Sequence, residues 1–170
     1  LMFGLQWDLV LAFMSKDTAK VNQDTLEELI SDSETIGNYR TSKFQLSLTG
    51  KYATMISWTT LSTTWNEATK ATEKFVDSSR NKLAGNGRSG TVLVTTGTSE
   101  QNKVMNIYDI AGNVEEWTLE NSSKNDFPCV SRGSVCYSSA SDFPVISRSY
   151  DLLDRSISFI GFRVSLFRKS

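Results

Sequence analysis

NIYDIAGNVEEWTLE, residues 106–120, joins a turn to a candidate strand, and two later stretches complete the pattern it begins. Ala111-Gly112-Asn113 is a tight turn, where Gly112 can take a positive φ without steric cost. Trp117 then opens a segment whose bulk calls for burial. Downstream, SRG (131–133) adds a second glycine turn, and the RVSLF of IGFRVSLF (160–167) alternates as a closing strand would. Read residue by residue, all three stretches are core and turn structure.

Outward from this framework, LQWDLVLAFM (5–14) places Leu5, Leu9, Ala12 and Phe13 on one stripe and Asp8 elsewhere, which predicts a short helix burying that stripe. DTLEELI (24–30) predicts a second helical piece, with Asp24 as N-cap and Glu27 at capping-box spacing. SDSETIGNY (31–39) reads as loop. Residues 40–84 are rich in threonine and serine; TTWNEATKATEKF (63–75) fits a helix through Trp65, Ala68, Thr72 and Phe75, against the threonines' own preference. AGNGRSG (84–90) is turn chemistry, TVLVTTG (91–97) a β-branched strand, and GTSEQNK (97–103) an exposed loop. The expected class is α+β, with early helices and late short strands joined by long loops.

The chain has 170 residues, enough for one domain with a real core, and no repeat or linker divides it. It opens Leu-Met-Phe, so it is expected to be the C-terminal part of a longer protein. A net charge of -1 argues against a nucleic-acid binder, and no apolar run approaches the roughly 18–20 residues of a membrane span. The absence of histidine removes Ser-His and Cys-His nucleophile pairs, histidine-ligated metals and the commonest general base. Cys129 and Cys136 are too few for a disulfide scaffold, and their spacing leaves both a local bridge and two free thiols open.

Taken in order, Tyr108-Asp109-x-x-Gly112-Asn113-x-x-Glu116-Trp117, then Arg132-Gly133, then Gly161-Phe162-Arg163 resemble the C-terminal half of the formylglycine-generating, sulfatase-modifying family. GLQWD (4–8) stands where that family has a tryptophan-bearing helix. The resemblance covers about half the chain in patches and implies a C-type lectin-like fold of that family's subtype. It also implies a redox-active cysteine pair, yet residues 139–147 contain no cysteine and Cys136 lies upstream. The family's sulfoxide-synthesising branch uses histidine-bound iron, which this chain cannot supply. The reading is therefore a retained fold without the enzyme's chemistry. The resemblance further implies that Asp109, Glu116 and the carbonyls of Gly112 and Val114 surround a calcium ion, as hard oxygen ligands would; no other cofactor is called for.

Between SRG and GFR the periodicity stops. Phe143, Val145, Ile146, Tyr150, Leu152, Leu153 and Phe159 are scattered among serines with neither a strand's nor a helix's period. This arrangement resembles lectin-fold proteins diversified by retroelements, in which asparagine codons AAY become NNY. That mixture encodes fifteen residue types and excludes Lys, Glu, Gln, Met and Trp. Those five types make up 31 of the 170 residues, yet none occurs from Asn125 to Arg168. At the chain's own frequencies such a run arises by chance on the order of once in several thousand.

The resemblance implies a hypervariable ligand-binding or adhesion module, borne on a bacterial or phage surface, with residues 134–159 as the variable segment. Its contact residues are expected to be Val135, Tyr137, Ser138, Ser139, Asp142, Phe143, Val145, Tyr150, Asp151, Leu152, Leu153, Ser156, Ser158 and Phe159, all pointing outward. Aromatic anchors, adaptable serines and the bias of Asp142, Asp151 and Asp154, partly offset by Arg148 and Arg155, fit a protein or other macromolecular surface as partner. Arg148 and Arg163 belong to the framework. The alternatives are a formylglycine-generating-type enzyme or degenerate relative, and a carbohydrate-binding module of fixed specificity.

Overall fold

The computed structural model describes residues 1–16, 29–54, 64–70, 74–85 and 91–164. The chain opens with helix α1 (Gly4–Met14), followed by strands β1 (Gly37–Asn38), β2 (Lys51–Thr54), β3 (Asn66–Glu67), β4 (Val92–Val94), β5 (Lys103–Val104) and β6 (Ile107–Tyr108). Strands β7 (Ala111–Gly112), β8 (Glu115–Asn121), β9 (Cys129–Arg132), β10 (Arg148–Asp151) and β11 (Ile160–Phe162) complete it, with 3-10 turns at Glu34–Ile36 and Glu100–Asn102. The class is α+β, as the sequence predicts.

The principal sheet has the order β10-β9-β8-β11. β9 runs antiparallel to both its neighbours, while β11 adds to β8 in parallel, pairing Ile160 with Glu115 and Phe162 with Trp117. Strands β10 and β11 therefore occupy opposite edges. The connection 152–159 carries the chain from the Cys129 end of one edge to the Glu115 end of the other. A second sheet, β3-β2-β4, and the pairs β1-β7 and β5-β6 account for the other strands.

The AGN turn explains how these pieces join. Gly112 has φ +66°, and a Cβ there would lie 2.3 Å from the Asn38 carbonyl oxygen, so only glycine fits the β1-β7 pairing. The Asn113 side chain accepts from Val94 N at 3.0 Å and donates to Val94 O at 3.1 Å, acting as one extra strand residue beside β4. Gly133, φ +92°, brings the backbone against the Trp7 ring; a Cβ there would meet ring carbons at 3.2 Å.

Helix α1 buries Trp7, Leu11 and Met14 and leaves Leu5, Leu9, Ala12 and Phe13 outside, the reverse of the expected orientation. The helix is apolar nearly all round, so its periodicity cannot choose a face; the Trp7 indole does. It packs into a core with Ile36, Tyr39, Val104, Ile110, Ala140 and Val145, and its Nε1 donates to Val145 O at 3.3 Å. Over 63–75, residues 64–70 contain strand β3 and a turn in place of the expected helix, with Ala68 buried under the second sheet. GTSEQNK is not an exposed loop throughout: Thr98, Ser99 and Asn102 are buried, and a 3-10 turn begins at Glu100. The closing strand is Ile160–Phe162, ending before RVSLF, and SETI (33–36) includes a 3-10 turn. The capping box at Asp24 and Glu27 and most of AGNGRSG lie outside the described residues.

Two arginines tie the helix to the sheet. Arg132, its side chain wholly buried, bonds Asp8 of α1 at 2.7 Å and Glu120 of β8 at 3.1 Å. Arg148, its antiparallel neighbour, reaches the same two carboxylates at 3.3 and 2.5 Å. The two anionic partners offset part of the desolvation cost of burying the cation, although Arg132 Nε itself has no hydrogen-bond partner among the described residues.

Candidate functional site

After β9 the chain leaves the sheet through Gly133 and Ser134, both with positive φ. It is then laid down as successive turns, Ser138 N bonding Val135 O at 3.0 Å and Phe143 N bonding Ser139 O at 3.0 Å. Arg40 N bonds Ser138 O at 3.1 Å, so the loop after β1 is stitched to the middle of this segment. Between them opens a cleft of about 400 Å3 lined by Arg40, Glu115, Tyr137, Ser138, Ser139, Asp142 and Phe143. Larger depressions of about 490 and 540 Å3 lie around Lys43 and collect none of the predicted residues.

The cleft is built from rigid and loose parts. The Tyr137 ring stands edge-on to Phe159, with centroids 5.3 Å apart, and is fixed by it. The Glu115 carboxylate accepts Ser131 Oγ at 2.8 Å on one oxygen and Ser149 Oγ at 2.7 Å on the other. Phe143 is half exposed, at 50 %. Among the described residues, the guanidinium of Arg40 and the carboxylate of Asp142 make no hydrogen bond or ion pair.

The remaining predicted residues divide. Leu152, Leu153, Ser156 and Ser158 are exposed on the connection between the sheet's edges, Leu153 at 83 %. Tyr150 is on the outer strand β10 with the Lys124 ammonium 4.1 Å from its ring centroid. Asp151 is spent locally, accepting Leu152 N at 2.9 Å and facing Arg155 Nε at 3.5 Å. Three residues are corrections: Val135, Val145 and Phe159 are 4, 0 and 1 % exposed and are core, not contact surface. Val135 and Phe159 pack with Leu93 and Cys136, where the chain passes the open end of the sheet; Val145 plugs the core beside Trp7. Codon-type restriction says nothing about which way a side chain points, so the sequence could not separate these three from their neighbours.

Sequence reasoning missed Arg40 and Glu115, which lie outside 134–159. The acidic pair Glu115-Glu116 was the available signal: strand alternation sends the two to opposite faces.

The calcium reading fails the fit. Both oxygens of Glu116 bond Arg163, at 2.8 and 2.7 Å, and Arg163 also reaches the carbonyls of Tyr108 at 3.1 Å and Asp109 at 3.3 Å. A guanidinium thus holds the two Glu116 oxygens that a cation would take. The Asp109 carboxylate instead accepts Gly97 N at 2.7 Å and Asn102 Nδ2 at 3.3 Å, while Gly112 and Val114 serve the turn. Burial pushes both carboxyls up, opposed at Glu116 by the bonds from Arg163. Among the described residues, no group of three or more Asp, Glu and Cys side chains could hold a metal ion.

Cys129 and Cys136 are both free thiols. Cys136 is fully buried, and burial pushes its pKa up to about 12. Among the described residues, no helix is long and apolar enough to cross a membrane. Comparison of the chain with protein-family models, with curated proteins and with solved structures returns no match.

Proposed function

We propose that the chain is a non-catalytic ligand-binding module of the retroelement-diversified, lectin-like kind, presenting the exchangeable side chains of Asp142, Phe143, Leu152, Leu153, Ser156 and Ser158 from a fixed frame. One observation carries the reading. Within the stretch that lacks Lys, Glu, Gln, Met and Trp, Asp142, Phe143, Leu152, Leu153, Ser156 and Ser158 are exposed, while the sheet and ion pairs beneath are closed. Exposed large apolar groups are what a macromolecular partner would cover. A binding role, and not catalysis, is favoured by Cys136: a buried thiol with a raised pKa is in the wrong state for a nucleophile.

The test is exchange by library. Randomising Asp142, Phe143, Leu152, Leu153, Ser156 and Ser158 with NNY codons should leave most displayed members folded and yield binders to unrelated protein surfaces. The same randomisation of Val135, Val145 and Phe159 should leave few. Equal losses in the two libraries would remove the binding-surface reading. Sequencing the locus tests its origin: a reverse transcriptase and a near-copy template rich in asparagine codons are expected, and a locus with neither refutes diversification.

A further inference from the structure

We infer that the cleft between the Arg40 loop and residues 137–143 takes the basic C-terminal residue of a peptide, an arginine bearing a free carboxylate. This deepens the binding-module reading and rests on it. The first ground is an unspent charge of each sign. Arg40 is partly buried with its backbone fixed on both sides, its N–H on Ser138 O at 3.1 Å and its carbonyl accepting Gly85 N at 2.9 Å. Its guanidinium is nonetheless free of any described partner and offers a planar fork suited to a carboxylate. Asp142 is equally unpaired, and the two are too far apart to form an ion pair with each other.

The second ground is the cation side. Glu115 has spent two of its acceptor positions on serine hydroxyls and keeps others free, so with Asp142 it gives the cleft two negative charges against one positive. Tyr137 and Phe143 add ring faces, on which a guanidinium stacks better than an ammonium. The third ground is size. At about 400 Å3 the cleft lies near the lower end of the range for small-ligand sites, room for one long side chain and its terminal carboxylate but not for a run of residues. The ligand that spends both charges at once carries a carboxylate and a guanidinium.

Calorimetric titration of the whole chain with Ac-Gly-Gly-Arg, its C-terminal amide and Ac-Gly-Gly-Gln separates the parts. The free acid should bind saturably at millimolar concentration or below, with the amide and the glutamine analogue each about fivefold weaker or more. Arg40→Gln should abolish the acid-over-amide preference and keep arginine over glutamine; Asp142→Asn should weaken the second preference and keep the first. Neither side chain has a described partner, so both variants should melt like the parent. Free L-arginine binding as tightly as the peptide would assign the site to the amino acid instead and overturn the peptide. Absence of saturable binding, or an amide that binds as well as the acid, overturns the ligand class. Those failures leave the library experiment standing, whereas collapse of the surface library removes the binding module itself.

Discussion

Phe159 and Leu153 are six positions apart in one serine-rich stretch, yet truncating them should have opposite consequences. Phe159 is 1 % exposed, packed on Leu93, Val135 and Cys136 with Tyr137 edge-on to its ring. Removing a fully buried phenyl forfeits its transfer free energy and leaves a cavity, so Phe159→Ala should cost about 3–5 kcal/mol. Leu153 is 83 % exposed, and Leu153→Ala should stay within about 0.5 kcal/mol. For a chain of 170 residues, one kcal/mol moves Tm by roughly 2–4 °C, so the first variant should melt about 6–20 °C lower and the second within about 2 °C. Urea unfolding followed by tryptophan fluorescence measures both, as a shift in midpoint at constant m. Val145→Ala, beneath Trp7, should fall between them at about 2 kcal/mol. The division into skin and interior is refuted if Phe159→Ala costs under about 1 kcal/mol, or if Leu153→Ala costs more than about 2.

The orientation of α1 is checked in the same way: Leu5→Gln with Leu9→Gln should be nearly neutral in urea melts, whereas Trp7→Ala should cost about 3–5 kcal/mol. Because Arg163 holds Glu116, millimolar calcium or EDTA should leave Tm unchanged in differential scanning calorimetry; a rise of several degrees with calcium would show that the ion displaces the guanidinium. Lys82 is buried with its ammonium on Tyr39 O at 2.8 Å and Ser42 O at 2.7 Å, and burial pulls its pKa down to about 8. Its unfolded value is higher, so the cost of burying the charge is fully present below about pH 8 and is relieved as pH rises from about 8 to 10.5. The stability of the parent relative to Lys82→Met should therefore climb with pH by about 1 kcal/mol per unit in that window, and a flat difference would refute the assignment. Both proteins should carry Cys136→Ala, because the Cys136 thiol ionises above about pH 9 once unfolded but stays protonated in the fold, an opposing loss, and its charge couples to that of Lys82.

What the sequence made legible was backbone chemistry. Gly112 had to be glycine and is, at φ +66°; VLV of TVLVTTG had the branching of a strand and forms β4. What it hid was direction. Leu5, Leu9 and Phe13 form as good a stripe as Trp7, Leu11 and Met14, and only the partner surface breaks the tie. The threonines over 64–70 already argued for extended chain, and strand pairing with Tyr52 and Lys51 outweighed the apolar spacing that suggested a helix. At the cleft, Arg40 lies about a hundred residues from Ser138; nothing local in either segment announces a hydrogen bond between them. Val135, Val145 and Phe159 were misassigned for the same reason, since irregular spacing is shared by exposed loops and by turns that dip one residue at a time into a core.

Those dipping residues explain how the outer positions can be free. The segment 133–147 leaves the sheet at Arg132 and returns at Arg148, and both arginines close on Asp8 and Glu120. The connection 152–159 returns at β11, and Arg163 locks that strand's exit onto Glu116. Each excursion is thus clamped at its roots by charge and strand pairing and pinned inside, by Val135, Cys136, Ala140 and Val145 in the first and by Phe159 in the second. Between the pins, a side chain such as Phe143 or Leu153 meets mainly solvent, so its replacement changes little that the fold depends on. A loop held this way keeps its backbone conformation while its chemistry changes, which lowers the ordering cost of binding for whatever side chains it carries. Under the proposed binding role, the ion pairs of Arg132, Arg148 and Arg163 would bear on recognition through rigidity, although none of them need touch a ligand.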